Sequence, residues 1–288
     1  MAAIKSYKGF DKNLKCRDFQ YEIGKEYEMD GKIRVCRRGF HACESPFEVF
    51  DHYSMIGSRF CEVEQDGNIS KEDRGTKICS SKIKIKAELK LADMINLGVE
   101  WLKEITSPEK IKTSIKDNSS GNGAKIGSSG NGAKIGSSGY DAKIGSSGNG
   151  AKIGSSGYDA KIGSSGNGAK IGSSGYDAKI GSSGNGAKIG SSGYDAKIGS
   201  SGNGAKIGSS GYGAQIDSTG EDCVIMCAGI NSVAKASKGS WITLSEWSYS
   251  DKKKRYIPIC VKTEFVDGEK IKEDTYYKLE GGVFKEIQ

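Results

Sequence analysis

The chain has 288 residues and a formal net charge of +7; 35% of its residues are hydrophobic and 8% aromatic, with 42 Gly but only 3 Pro. That length accommodates two or three folded units, and so much glycine with so little proline argues against collagen and against a proline-bearing disordered linker. No run of about 18 apolar residues occurs, and the first residues lead into no hydrophobic signal region, so the expectation is a cytoplasmic chain without membrane contact.

Residues 1–90 read as a small α+β domain. Alternating stretches at Arg59–Glu64 and Lys82–Leu89 predict strands, and Phe47–Tyr53, after Ser45-Pro46, predicts a short helix. Both histidines, His41 and His52, fall here beside Cys36, Cys43, Asp51, Glu62 and Glu64. A Cys–His nucleophile pair or a carboxylate pair is the catalytic reading of these residues. The plainer reading is a half-buried histidine and two solvent-side carboxylates at alternate strand positions. The eight cysteines, at 16, 36, 43, 61, 79, 223, 227 and 260, lack the paired C-x2-C spacing of a structural zinc site. Reduced, buried thiols are expected, with no metal and no cofactor.

Residues 91–117 are read as a capping helix and linker. Apolar residues at 91, 94, 95, 99, 102 and 105 give an amphipathic helix, stopped by Ser107-Pro108 and placed to cover the start of the glycine-rich tract.

From Asn118 to Ile216 the chain is eleven copies of G-S-S-G-(N/Y)-(G/D)-A-K-I, and this tract holds 28 of the 42 Gly. A nine-residue period spans 2.5 helical turns, so successive isoleucines of a helix would face opposite sides. A strand-and-turn unit fits instead: Ala and Ile face a core, Lys faces water, and the Gly- and Asn-bearing pieces turn the chain. From Asn131 to Gly204 Asn-Gly and Tyr-Asp versions alternate. The coil is therefore 18 residues with two short strands, and the fold class is mainly β: a two-sided parallel β-solenoid over residues 118–225. One coil buries too little to fold alone, so stacking and caps must stabilise the rod. Coils ~4.8 Å apart imply ladders of identical side chains.

The tract carries ten lysines and four aspartates, hence most of the chain's charge. Lys125, Lys134, Lys143, Lys152, Lys161, Lys170, Lys179, Lys188, Lys197 and Lys206 form two rows, one per face, and Tyr140, Tyr158, Tyr176, Tyr194 and Tyr212 line one edge. Stacked like charges need relief, either by splaying into water or by a bound polyanion. Lysines beside aromatic rings suit single-stranded RNA or DNA, and these fifteen residues are the candidate nucleic-acid-binding set. Other readings of the repeat fit less well. G-N-G-A-K-I-G opens no helix and so makes no phosphate loop. The calcium-binding nonapeptide of repeats-in-toxin proteins places its large apolar residue one position earlier.

After Ile216 the repeat decays. Residues 226–250, with Trp241 and Trp247, read as a C-terminal cap, and 251–288 as a small β domain with hairpin turns at Asp267-Gly268 and Gly281-Gly282.

Taken together, Tyr7-Lys-Gly-Phe10, Gly39-Phe-His-Ala-Cys-Glu-Ser-Pro46, the Ser-Ser-Gly nonapeptides and Val266–Leu279 resemble a family of bacteriophage and prophage accessory proteins. The resemblance implies action in the bacterial host cytoplasm, against a host defence system in the manner of anti-CRISPR proteins. The expectation is a non-enzymatic inhibitor whose partner is a defence protein or ribonucleoprotein complex engaged through the basic faces; self-association into a homo-oligomer is also compatible. Two alternatives stand beside it. One is an N-terminal enzyme on an inert spacer, since Tyr7-Lys-Gly and Gly39-Phe-His are similar to the NAD-pocket strands of ADP-ribosyltransferases, although no Ser-Thr-Ser strand follows. The other is a structural or oligomerisation module.

Overall fold

The structure is a computed structural model and describes residues 3–55, 57–72, 75–106 and 121–287. The helix stop at Ser107-Pro108, the linker to residue 117 and the first three repeat residues lie outside the described residues. The chain divides into two compact units, Met1–Trp101 and Leu102–Gln288.

In the first unit five antiparallel strands lie in the order Glu26–Glu28, Lys77–Leu89, Phe40–Cys43, Ile4–Phe10 and Arg59–Lys71. Lys77–Leu89 also pairs with Arg59–Lys71, so the sheet closes on itself. The two predicted strands are parts of this long hairpin, whose register shifts between Glu62 and Val63 and again between Asp66 and Ile69. Such bulges add local twist and bend, which closure of a short sheet requires. The predicted short helix is a 3-10 turn, Pro46–Asp51, with proline in its first turn where a missing N–H costs nothing. Phe10, Phe40, Val63, Ile83 and Ile85 fill the interior. The helix Leu91–Ile105 forms as its spacing predicts: the Lys90 N–H donates to Asp93 Oδ2 at 2.9 Å, and Met94, Ile95 and Val99 are fully buried.

The second unit is the solenoid. Its strands are Lys-Ile-Gly-Ser segments, and each pairs in parallel with the segment 18 residues away: Lys143 opposite Lys161, Ile144 opposite Ile162, Ser146 opposite Ser164. One sheet holds the strands of the odd copies (Lys125–Ser128, Lys143–Ser146 and onward), the other those of the even copies (Lys134–Ser137, Lys152–Ser155 and onward). Ala and Ile point inward as expected, and Ala160, Ile162, Ala169 and Ile171 are at most 4% exposed. Because the strand runs two residues past the isoleucine, the first serine of each copy shares the inward face with it: Ser146, Ser164, Ser182 and Ser200 are fully buried.

Two glycines of the repeat have different reasons to be glycine. Gly168 turns the chain at φ +66, a conformation that Asp159 adopts at φ 53 in the alternate copy. Gly166 instead lies against the coil below, and a Cβ there would stand 2.1 Å from the Gly148 carbonyl oxygen. At the Asn edge, Asn149 Oδ1 accepts from the Asn167 N–H and Asn167 Oδ1 from that of Asn185, both at 2.9 Å, so one side-chain ladder ties successive turns.

The coil persists beyond the readable repeat, through Val224–Cys227, Val233–Ala236 and the start of Trp241–Ser250. The residues read as a separate cap and β domain continue the same two sheets. Trp241–Ser250 turns back as an antiparallel hairpin with Arg255–Phe265 on one sheet, and Tyr276–Glu280 with Val283–Ile287 extends the other. Gly281-Gly282 makes the predicted two-residue turn, with Glu246 accepting both of its N–H groups at 2.9 Å. Asp267-Gly268 is not a hairpin turn: it carries the chain from one sheet to the other, and Asp267 Oδ1 accepts the N–H groups of Glu269, Lys270 and Ile271. At the other end the last helical turn belongs to this unit, and a Cβ at Gly127 would lie 3.1 Å from the Leu102 carbonyl carbon.

Candidate functional site

The two lysine rows prove unequal. In the sheet of odd copies Lys161 is 1% exposed, Lys143, Lys179 and Lys197 are half-buried, and only Lys125 is exposed. Lys161 Nζ lies 4.0 Å from Asp141 Oδ1. This row does not present an open cationic face, contrary to the expectation for Lys125, Lys143, Lys161, Lys179 and Lys197 as a set. In the other sheet Lys134, Lys152, Lys170, Lys188 and Lys206 are all exposed, and the glycines between them make a shallow trough floored by backbone. None of these five has a carboxylate within ion-pair distance among the described residues, since the repeat's aspartates sit on the tyrosine edge.

The tyrosines form the predicted ladder, with Tyr158, Tyr176 and Tyr194 stacked at 4.8 Å and within 7° of parallel. Their faces are spent on one another. A ring sandwiched on both sides offers an incoming base only its edge and hydroxyl, so Tyr158, Tyr176 and Tyr194 present no free face for base stacking.

Stacking surface lies elsewhere, at residues the repeat concealed. Along the open sheet, Lys206 is followed in register by Val224, then Trp241, then Phe265. Trp241 is 47% and Phe265 40% exposed, with ring centroids 5.0 Å apart. The lysine column therefore ends in an exposed aromatic pair on the same face. Trp241 follows Val224 one residue short of the 18-residue step, which hid it from the period.

The first unit encloses a cavity of about 900 Å³, lined in part by Lys8, Cys16, Tyr21, His41, His52 and Tyr53. Lys8 Nζ donates to the His41 carbonyl at 2.9 Å, and Cys16 Sγ is 2.8 Å from Tyr53 Oη. Gly9 makes this possible, because the Tyr53 ring occupies the space that a Cβ at position 9 would need. Burial holds the Lys8 ammonium below its ordinary pKa, against the opposing pull of Cys16. Burial, then the charges of Lys8 and Lys77, pushes His41 down to about 4, so its ring is neutral at pH 7. Burial also raises Cys43 to about 12, leaving a protonated thiol.

Among the described residues, neither the Cys36–His41 pair nor the Glu62–Glu64 pair forms a catalytic constellation. His41 Nε2 accepts the backbone N–H of Cys36 at 2.9 Å and does not meet its thiol. Glu62 and Glu64 stay on the outer side of the strand, paired with Lys5 at 2.8 Å and Lys86 at 2.9 Å, and neither lines the cavity. No group of three or more His, Cys, Asp or Glu residues able to hold a metal occurs among the described residues. No helix among them is long and apolar enough to cross a membrane.

Residues 4–97, which carry the cavity, match the profile of a domain of unknown function, DUF7666. Neither the curated proteins nor the solved structures contain a match to the chain.

Proposed function

We propose that this chain is a non-enzymatic binding protein whose open solenoid sheet engages single-stranded nucleic acid, free or within a ribonucleoprotein. The observation that carries the reading is the column Lys134, Lys152, Lys170, Lys188, Lys206: exposed, evenly stepped, without carboxylate partners among the described residues and continued by Trp241 and Phe265. Cations spaced at ~4.8 Å hold a phosphate backbone without fixing its register. The terminal aromatic pair adds a sequence-tolerant stacking contact. The likeness of the terminal motifs to bacteriophage accessory proteins supports a host defence ribonucleoprotein as the partner.

The test is the triple variant Lys152→Glu, Lys170→Glu, Lys188→Glu, assayed for binding to single-stranded RNA across a salt series. Affinity should fall, and the slope of log K against log salt should become shallower by about 2, at about 0.7 per lost phosphate contact. Trp241→Ala should weaken binding by about 1–3 kcal/mol and leave the slope unchanged. Unaltered binding in both variants would rule the open sheet out.

A further inference from the structure

The cavity of the first unit shares no lining residue with the open lysine sheet, and its own lining is chemically sorted. One wall is a box of rings. Tyr21 sits edge-on to Phe19 at 4.8 Å, to Tyr27 at 5.2 Å and to Phe40 at 6.4 Å, while Phe19 meets Tyr27 at 5.3 Å. Phe19 is nonetheless 47% exposed, so the box is open on that side.

Next to the rings stands Lys8. Its side chain is 4% exposed, and its Nζ lies 5.6 Å from the Tyr21 centroid and 5.4 Å from that of Phe10. Its protein partners are the His41 carbonyl at 2.9 Å and Cys16 Sγ at 3.5 Å, and no carboxylate lies within ion-pair distance among the described residues. Burying an ammonium beside rings and one carbonyl is costly, and an anion bound there would supply the missing counter-charge. Arg17, Arg37 and Lys77 add three cations to the same lining, which also contains the carboxylates of Glu26 and Glu28. Arg17 and Cys36 hold left-handed backbone at φ 56 and 62, a conformation that side-chain-bearing residues keep only where their surroundings impose it.

We propose that this cavity is a non-covalent binding site for a nucleotide. The three kinds of lining match its three parts: the ring box takes the planar base, Glu26 accepts from sugar hydroxyls while Glu28 is held by Lys82 at 3.0 Å, and Lys8 with the neighbouring cations takes the phosphate. A simple aromatic acid would use the rings and Lys8 and leave the other cations unanswered. The volume of about 900 Å³ is sufficient for a mononucleotide, which falls within the ordinary range of ligand pockets.

The experiment is calorimetric titration of the full chain with AMP, GMP, CMP, UMP, adenosine and inorganic phosphate. It is run both on the unaltered chain and on the Lys152→Glu, Lys170→Glu, Lys188→Glu variant, which separates the cavity from the open lysine row. At least one nucleotide should bind both proteins equally and one to one, with adenosine and phosphate each at least about tenfold weaker, the loss of a charge-assisted contact or of the stacked base. Lys8→Met should lower nucleotide affinity about tenfold or more while keeping the melting temperature, because it removes an unpaired buried charge. Should that variant fail to fold, Phe19→Ala decides, since Phe19 is exposed and its loss should cost affinity without costing the fold. No binding of any nucleotide at about 5 mM, a range that reaches even millimolar affinity, overturns the proposal. Binding that is lost with the solenoid triple variant, or undiminished by both cavity variants, overturns it as well.

Discussion

The solenoid and the N-terminal unit solve the same problem with opposite economies. In the solenoid each side chain meets a copy of itself: Ile144, Ile162 and Ile180 form one column, and every strand pairs only with the strands one coil before and after. In the N-terminal unit no contact is used twice, and closure depends on a single pairing between two long strands. A repeated contact makes stability a sum over neighbours. A closed ring of unlike strands can hold an interior with a shape of its own, and the cavity lies in that unit, whereas the described solenoid offers shallow troughs between its repeated side chains.

That contrast can be broken most severely inside the solenoid. Ile162→Asp places an unpaired carboxylate in a column one side chain wide and should cost several kcal/mol, with lost β-sheet circular dichroism or aggregation as the readout. A soluble variant melting like the unaltered chain would contradict the inward column.

Next come two glycines two residues apart. Gly166→Ala drives a methyl into the Gly148 carbonyl at 2.1 Å, so a coil must separate from its neighbour, and a loss of about 3 kcal/mol or more in chemical denaturation is expected. Gly168→Ala meets nothing within 4 Å and suffers only from φ +66, a strain of about 1–2 kcal/mol. Gly168→Asp should be milder still, because Asp already serves at that position in alternate copies. Equal losses for Gly166→Ala and Gly168→Ala would mean that the coils stack less closely than the Gly166 approach to Gly148 requires.

A smaller effect should separate the units by pH. His41 titrates near 4 when folded and near 6.5 when unfolded, so the unfolded chain binds more protons between those values. Its contribution to stability is complete above about pH 6.5 and is lost as pH falls toward 4. Hydrogen exchange should therefore show the strands of residues 4–89 opening more readily at pH 4.5 than at pH 7, and His41→Gln should reduce that difference. His52, also depressed by burial, would keep part of it.

The smallest effect concerns the buried serines. The Oγ atoms of Ser146, Ser164, Ser182 and Ser200 have no hydrogen-bond partner among the described residues. Ser164→Ala removes a hydroxyl of that kind while keeping the strand, so thermal melting should show no loss and a gain of up to about 1 kcal/mol. A clear destabilisation would show that the serine column is bonded in a way the geometry does not reveal.

How far the sequence discloses the molecule differs between the two units for the same reason. The solenoid is legible because its 18-residue contact is also an 18-residue repetition of letters. The reading stops where physics departs from the letters. Lys-Ile-Gly-Ser is one residue longer than the strand that Ala-Lys-Ile suggests, which hides the inward serine. Lys143 and Lys152 occupy the same place in the repeat, one after Tyr-Asp and the other after Asn-Gly, yet one is half-buried and the other exposed. Trp241 joins the open column after a step of one residue too few. In the N-terminal unit the alternation of Arg59–Glu64 foretells a strand and the outward place of Glu62 and Glu64. Nothing in a linear pattern foretells that Lys8, Cys16 and Tyr53 meet, because they come from the first strand, from the Lys15–Cys16 segment outside the main sheet and from the chain after the 3-10 turn.

The stacked tyrosines, asparagines and isoleucines have one more consequence. In-register columns of identical residues, joined by parallel backbone pairing, are the architecture of an amyloid protofilament, and such a rod has no intrinsic reason to stop growing. Here both sheets end in antiparallel hairpins. One outermost strand, Arg255–Phe265, carries Pro258 and the charges of Lys262 and Glu264; the other, Val283–Ile287, carries Lys285 and Glu286. Proline, charge and reversed polarity are what make a sheet edge a poor template for a further strand. At this end of the solenoid both sheets thus present edges that are poor templates for another coil, in a fold whose repeat otherwise has the grammar of an endless fibre.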